Sequence, residues 1–563
     1  MSHRATIFAI LAALLASSVY LWPSTKPGVH TPPTVSGRNN TVLYLTDSNS
    51  DLIQSHIASA FALLESRPDI QIYWGSFGTP AIEPRLRNIS ADAQAKNPDV
   101  KAVVFHEFGA QSMTEVLSEN YGLYDYITEY GLAGYDKMLP ILEDMLMPWD
   151  SKEYLALFQE TVKLIEDVDP ALIILDNLPR VFVDAARNTN RRFAVLSANS
   201  LSDILAHCQP WKSMFWKYPA FMSGHEFPVP AHSIFPNIWM QIKLIATTTA
   251  SSKLNTAKSK LKTMGINDPL DLHMQWDDIP LISGDLPEAS LPLSYYPANL
   301  TICGPMTLDP VPVEELNPEL VELLDSAPST MLVYFGDAFT FDKERTRKMS
   351  EAIWDLLRET DVQILWQYAK EGEFSNMWHS SLLKPYVEDG RIRIQNRLDD
   401  PISLVDSGKI DVWVHHGTDE YYRQAVRAGV RQVIVPLWFD QYNVARLAEH
   451  VGVGVWPGKD TAQVWDDATL FDGFLEVMQR PGAEVMQRRA SDLKNVVARY
   501  SGRYCAAEQI AWRAVATSSS PDDPEMVVCN PSTPGVEDWT QGGSDGEQLD
   551  ASCAVFSTMD YAK

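Results

Sequence analysis

Short apolar bursts recur along this chain, each followed by a stretch of helical periodicity, and this alternation restricts the fold more than any other feature. In the first half the bursts are Val42-Leu43-Tyr44-Leu45, Ile70/Ile72/Trp74, Val103-Val104-Phe105, Leu172–Leu175 and Phe193–Leu196. Between the first two, Ile53, Ile57, Phe61 and Leu64 mark one stripe of a helix. Strands of a few apolar residues separated by helices predict parallel sheets covered on both faces. Residues 306–330 are rich in proline and acids and read as an interdomain linker. Beyond them the pattern restarts with Leu332–Phe335, Val362–Trp366, Ile392–Ile394, Val412–Val414 and Val433–Val435, with helices at about 343–359, 419–428 and 441–450. The chain therefore reads as two doubly wound α/β halves, 41–305 and 331–497, followed by a helix at 498–516. Ligands of open α/β sheets bind beyond the strand C-termini, here in the cleft between the halves.

The ends of the chain differ from this pattern. Ala5–Trp22 is uncharged over 18 residues, which as a helix spans about 27 Å. Residues 1–22 therefore read as a signal peptide or a signal-anchor, and 23–40, rich in Pro, Ser and Thr, as a stalk. Either reading sends the remainder to the secretory lumen, membrane-anchored in the ER or Golgi or secreted after cleavage. The sequons Asn39-Asn-Thr41, Asn88-Ile-Ser90 and Asn299-Leu-Thr301 agree. Residues 517–563 carry nine acids against Lys563 and read as a disordered acidic tail. With 46 basic and 73 acidic residues the net charge is −27, so nucleic acid is an unsuitable partner. Five scattered cysteines exclude a zinc ribbon and a disulfide-dense scaffold while leaving room for one or two bridges.

The chemistry concentrates in IDVWVHHGTDEYYRQAVRAGVRQVIVPLWFDQYNVARLAEHVGVGVW, residues 410–456. A buried strand ends in His415-His416-Gly417, and a helix starts at about Asp419, where backbone N–H groups and the helix dipole favour an anion. A second strand ends in Pro436-Leu437-Trp438-Phe439-Asp440-Gln441, again just before a helix. A carboxylate and an amide beside Trp438 suit the hydroxyls and the apolar face of a sugar. His415 points to the other side of its strand and reads as structural. Read alone, Asp440 fits a helix N-cap equally well. The cluster Trp211-Lys-Ser-Met-Phe-Trp216 reads as acceptor-pocket lining, as core packing or as membrane-facing surface.

This stretch resembles the donor-binding signature of the UDP-glycosyltransferases of the glucuronosyl/glucosyl type, in which a His-Gly pair, a helix, a strand, Pro-x-x-x-Asp-Gln and a Gly-x-Gly turn follow in order. Here those positions are His416-Gly417, Gly429-Val430, Pro436 to Gln441 and Gly452-Val453-Gly454. The resemblance extends more weakly from Val42 to about Tyr500, and the first half looks most like fungal members. It implies the GT-B fold, in which two Rossmann-like domains face a cleft, with the acceptor held by the first and the nucleotide sugar by the second. It also implies inverting, metal-independent transfer of a hexose from a UDP-sugar to a small lipophilic acceptor such as a secondary metabolite, a sterol or a lipid-like molecule. No cofactor is implied beyond the UDP-sugar as co-substrate. By position, His416 and Gly417 would meet the diphosphate, Gly336 would let the backbone approach it, and Asp440 and Gln441 would bind the sugar. Gln424 stands at the ribose position and Asp176 at the carboxylate that orients a base.

The chain departs from the signature at several points. Thr418 replaces the second glycine, Glu420 the phosphate-binding asparagine, Gln424 the ribose-binding glutamate and Leu398 the nucleobase-stacking tryptophan, while Pro401 stands where the glutamine after it would be. No histidine follows the first strand, where the loop reads Asp47 to Leu52. Asp51 is the candidate base there, with His56 a turn further into the helix. Asp419 and Glu420 facing inward would oppose a diphosphate by about 4 kcal/mol per charge pair at about 4 Å and an effective dielectric of about 20. Facing outward they would be harmless. Two alternatives stand beside transfer from UDP: a GT-B binding protein that has lost catalysis, and a transferase using another nucleotide donor.

Overall fold

A computed structural model describes residues 35–515 apart from 49, 79–80, 123–125, 177, 271–278, 376, 399 and 460–463. The apolar run Ala5–Trp22 and the acidic tail lie outside the described residues, and no described helix is long and apolar enough to cross a membrane.

Two wholly parallel sheets form. The first comprises β1 (Arg38–Leu45), β2 (Gln71–Phe77), β3 (Val104–Phe108), β4 (Pro170–Leu175), β5 (Phe193–Ser197), β6 (Leu281–Ser283) and β7 (Leu300–Ile302), in the order β3-β2-β1-β4-β5-β6-β7. The second comprises β8 (Thr330–Val333), β9 (Gln363–Gln367), β10 (Ile392–Gln395), β11 (Val412–His415), β12 (Arg431–Ile434) and β13 (Gly454–Val455), in the order β10-β9-β8-β11-β12-β13. Val42 stands opposite Ile72 on one side and Leu172 on the other. β1 is thus central and buried on both faces, which is why it reads as a continuous apolar run. Strand order reverses at β1/β4 and at β8/β11, the points where doubly wound sheets open a crevice.

Six helices matter below: α1 (Ser50–Ser66), α2 (Gly131–Leu146), α3 (Ile234–Ala250), α4 (Asp419–Ala428), α5 (Gln441–Val451) and α6 (Arg503–Val515). Helix α4 is capped by Thr418, whose hydroxyl accepts from the Tyr421 amide at 3.3 Å, and it stops at Gly429 in the left-handed region. The stretch read as a linker folds into two short helices whose Val313, Leu320 and Leu324 pack on Leu332 and Trp413 of the second half. Helix α6 crosses back to the first half. Its Ala506, Ala507, Ile510 and Ala511 join Ile53 and Ile57 of α1 in one core, and a Cys303–Cys505 disulfide fastens it there.

The halves are tied directly. Phe439 inserts among Met138 and Ile141 of α2, Met222, and Met240 of α3. Asn443 donates to the Ala220 carbonyl at 3.0 Å, Arg446 to that of Gly224 at 2.8 Å and Tyr422 to that of Ala289 at 2.7 Å. The closed cleft is therefore held by α4 and α5, the two helices that follow the site loops.

Candidate active site

The two histidines at the end of β11 diverge as strand alternation requires. His415 is fully buried, its Nε2 sharing a hydrogen bond with Gln432 Oε1 at 3.1 Å and its Nδ1 accepting from the Gly417 amide at 3.1 Å. It is the structural member of the pair and orders the turn. The His416 ring lies edge-on to Trp438, at a centroid distance of 5.7 Å, and to Tyr421, at 5.4 Å. Its Nδ1 is buried and makes no hydrogen bond. Burial lowers both imidazoles to about 3, with His416 adding to the effect on His415, so both rings are neutral at pH 7. A buried polar atom without a partner calls for an explanation, and a ligand supplying one hydrogen bond is the simplest.

Two glycines keep the space beside these rings open. Gly417 has φ 91°, and a Cβ there would lie 2.5 Å from Ile434 Cγ2. At Gly336, also at φ 91°, a Cβ would lie 2.9 Å from the Tyr421 hydroxyl. No side chain fits either position.

The loop after β12 is docked beside this turn: the Val435 amide donates to the His415 carbonyl at 2.9 Å. Gln441 is buried, and its Oε1 accepts from the amides of Leu437 at 2.9 Å and Trp438 at 3.3 Å. The side-chain oxygen of Gln441, a residue expected to bind the sugar, is thus bonded to its own loop. Phe439 holds φ 45°, a conformation costing roughly 1–3 kcal/mol for a non-glycine residue, and its packing in the first half retains it. Asp440 makes no capping bond to α5, so the helix-cap alternative is not realised.

Asp419 and Glu420 turn toward the first half. Asp419 accepts from the Ser200 amide at 2.9 Å and pairs with Arg423 at 3.5 Å, while Arg423 reaches the Ala198 carbonyl. Glu420 accepts from Gln424 Nε2 at 2.8 Å and acts electrostatically on Arg85, which donates to Gln54 at 2.6 Å. The inward placement is the one in which these charges would oppose a diphosphate, but Arg423 and Arg85 offset them. Gln424 is engaged with Glu420. Leu398 is buried among apolar residues of the second half and presents no ring for a base to stack on.

Asp203, which sequence reading passed over, lies in the short helix Leu201–Leu205 after β5. Although its side chain keeps contact with solvent, the protein mass around it raises its carboxyl well above the usual range by desolvation, and Asp419, Asp440 and Asp285 raise it further. Its only sequence signal, an acid three residues after Ser200, reads as ordinary capping. A solvent-open pocket adjoins it, lined by Ser202, Asp203, Tyr218, Phe227, Asp419 and Arg446 among others. His225 on the same wall is lowered to about 4, by burial first and then by Arg446.

The structure gathers Gly336, His416, Gly417, Asp440 and Gln441 at the ends of β8, β11 and β12. Asp176 ends β4 in the other half, where it is buried and accepts from the Leu178 amide at 2.9 Å in a local turn. Asp51 opens α1, and its side chain lies outside the described residues. His56 is fully buried beside Tyr44, with no access to the cleft. Within the aromatic cluster, Met214 and Phe215 are buried whereas Trp211 and Trp216 are exposed.

No family model matches the chain. Glycosyltransferase sdnJ of Sordaria araneosa is 29% identical over 498 residues, spanning 83% of this chain and 96% of that protein. A sterol 3-beta-glucosyltransferase of Saccharomyces cerevisiae (strain YJM789) is 25% identical over 284 residues, 50% of this chain but 22% of the other. Among solved structures, a UDP-glucosyltransferase from Polygonum tinctorium capable of glucosylating indoxyl is similar with a TM-score of 0.56 at 14% identity, covering 86% of this chain and 100% of that one. TcCGT1 in complex with UDP is similar with a TM-score of 0.54 at 13% identity, covering 85% and 99%. The fold is GT-B, and the sequence relatives are glycosyltransferases.

Proposed function

We propose that this GT-B glycosyltransferase, a member of the UDP-glycosyltransferase family, moves a hexose from a UDP-sugar to a hydroxyl or similar group of a small lipophilic acceptor, with inversion and without a metal. The observation that carries the reading is the meeting of His416, Gly417, Gly336 and Asp440 at neighbouring strand ends, with His416 Nδ1 buried and lacking a hydrogen bond. The diphosphate would lie against the start of α4, where helix amides and the two open glycine positions admit it. A neutral imidazole protonated on Nδ1 donates one hydrogen bond to a phosphoryl oxygen and stabilises the charge that develops as the nucleotide departs. With Gln441 Oε1 committed to its loop, Asp440 is the group that accepts from the sugar hydroxyls.

The acceptor would occupy the cavity beside Asp203. Its proton needs a base. Asp51 is the candidate base from its place after the first strand, and Asp176 stands by resemblance at the carboxylate that orients a base. Asp203 joins Asp51 as a candidate because it lines the pocket with a carboxyl of raised proton affinity. The disulfide and the exposed Asn39 and Asn88 support a secretory compartment. The rival reading, a binding protein without transfer, draws on the inward carboxylates of Asp419 and Glu420.

Incubation of the full chain with several UDP-sugars and a lipophilic acceptor library, read by product mass, tests transfer. Asp440→Ala is expected to abolish product while leaving the thermal midpoint unchanged. Full activity in that variant would place the sugar elsewhere. No thermal shift with any nucleotide would remove both enzyme readings.

A further inference from the structure

Helix α3 is built inside out. Its sequence, IFPNIWMQIKLIATTTA, has one charge in 17 residues. Asn237, Met240 and Gln241 face the protein, while Phe235, Trp239 and Ala246 are exposed along the opposite stripe and Ile242 between them is half-buried. The polar pair is fully employed. Asn237 donates to the carbonyls of Phe215 at 3.1 Å and Tyr218 at 3.0 Å and accepts from the Ala220 amide at 2.7 Å, and Gln241 donates to Met214 at 3.1 Å. These bonds fix the 210–218 loop against the helix. That loop holds Trp211 and Lys212 at φ 59° and 51°, with Trp211 89% exposed. Trp216, 47% exposed, donates to the Trp211 carbonyl, and Phe235 and Trp239 are 54% and 41% exposed. Buried amides thus hold a strained loop so that its tryptophans face outward beside the apolar stripe of α3.

The segment that builds this face is basic, unlike the chain as a whole. Residues 206–262 contain seven lysines and a single acid, Glu226, in a protein of net charge −27. Lys243, Lys253 and Lys258 are paired with Asp136, Asp144 and Asp268, Lys260 faces Asp150, and Lys212 and Lys217 stand within the loop that carries the exposed tryptophans. A second copy of the face would bring the lysines of two such loops together. An anionic surface with an apolar layer beneath it complements both features, because indole rings favour the headgroup level and lysines the lipid phosphates.

We propose that the 210–218 loop and the outward stripe of α3 form a docking surface for a bilayer containing anionic lipid. The surface is separate from the His416–Asp440 site, and the inference does not depend on the donor reading. It also differs from attachment through residues 1–22, so its test must resolve segments.

Hydrogen exchange read by mass spectrometry on the full chain does so, with phosphatidylcholine vesicles with and without phosphatidylglycerol. Peptides covering 209–218 and 234–250 are expected to exchange roughly threefold or more slowly on the anionic vesicles. Trp211→Ser/Trp239→Ser is expected to lose that protection at an unchanged thermal midpoint, and Lys212→Glu to weaken it. Three results would overturn the proposal: no protection of these peptides when the chain is vesicle-bound, equal protection on pure phosphatidylcholine, or protection that rises with protein concentration without vesicles.

Discussion

Acidification should weaken the second half of this protein through the two histidines at its centre. In the folded chain both rings remain neutral down to about 3, whereas on unfolding they regain the ordinary exposed value of 6.5. Between those values the unfolded chain binds more protons than the native one, so stability falls as pH falls. At about 1.4 kcal/mol per unit, lowering the pH from 7 to 5 removes about 2 kcal/mol for each ring and about 4 kcal/mol for the pair. That is a large share of the roughly 5–15 kcal/mol that holds a typical domain. Urea unfolding followed by tryptophan fluorescence at pH 7 and pH 5 measures the loss. In His415→Gln/His416→Gln the side chains do not titrate, so the variant should lose about 4 kcal/mol less over the same interval, whatever its stability at pH 7. Equal acid losses in both proteins would refute the reasoning and show that the rings take up protons without unfolding.

Gly417→Ala should cost roughly 2 kcal/mol, because φ 91° is retained only under strain and the new Cβ meets Ile434; an unchanged thermal midpoint would show that the turn has room. Removing the Cys303–Cys505 bridge, which spans 202 residues, should cost about 2–5 kcal/mol, measured as a lower unfolding midpoint in Cys303→Ser/Cys505→Ser that reductant no longer shifts. Asp419→Asn leaves the buried Arg423 guanidinium without its counter-charge and should cost about 3 kcal/mol. Its second signature is a larger radius of gyration by small-angle scattering, since the Asp419–Arg423 pair contacts Ser200 and Ala198 of the first half; an unchanged radius would assign closure to the Tyr422 and α5 contacts.

The strands were legible because a parallel strand covered on both faces must be apolar throughout, and Val42–Leu45, Leu172–Leu175 and Val412–Val414 are. β6, β7 and β13 were not, since two or three residues are too few to carry a period. His416 and Gly417 could be placed from spacing, because both lie within a few residues of a strand end. The partner of Asp419 could not. Arg423 stands one turn along the same helix and was in view, but Ser200 lies 219 residues away in the other half. Asp203 was missed for the same reason, since its carboxyl acquires its character from desolvation first and then from Asp419 and Asp440, and only the closed cleft supplies these.

Periodicity also presumes that the apolar side of a helix faces the core, and α3 reverses this: its inward face carries the amides that satisfy loop carbonyls. The same distinction between residue type and direction decides the loop after β12. Sequence pairs Asp440 with Gln441 as two sugar ligands. In the fold a buried amide beside backbone N–H groups satisfies them first, because an unmet buried donor costs roughly 1–3 kcal/mol in the free protein. Gln441 therefore sets the shape of the loop before any donor arrives. Asp440 makes no bond to its own helix end and acts on Asp203 of the first half, which is why the proposed reading gives it the sugar. Substituting Gln441 should accordingly disturb folding and binding together, and substituting Asp440 should disturb binding alone.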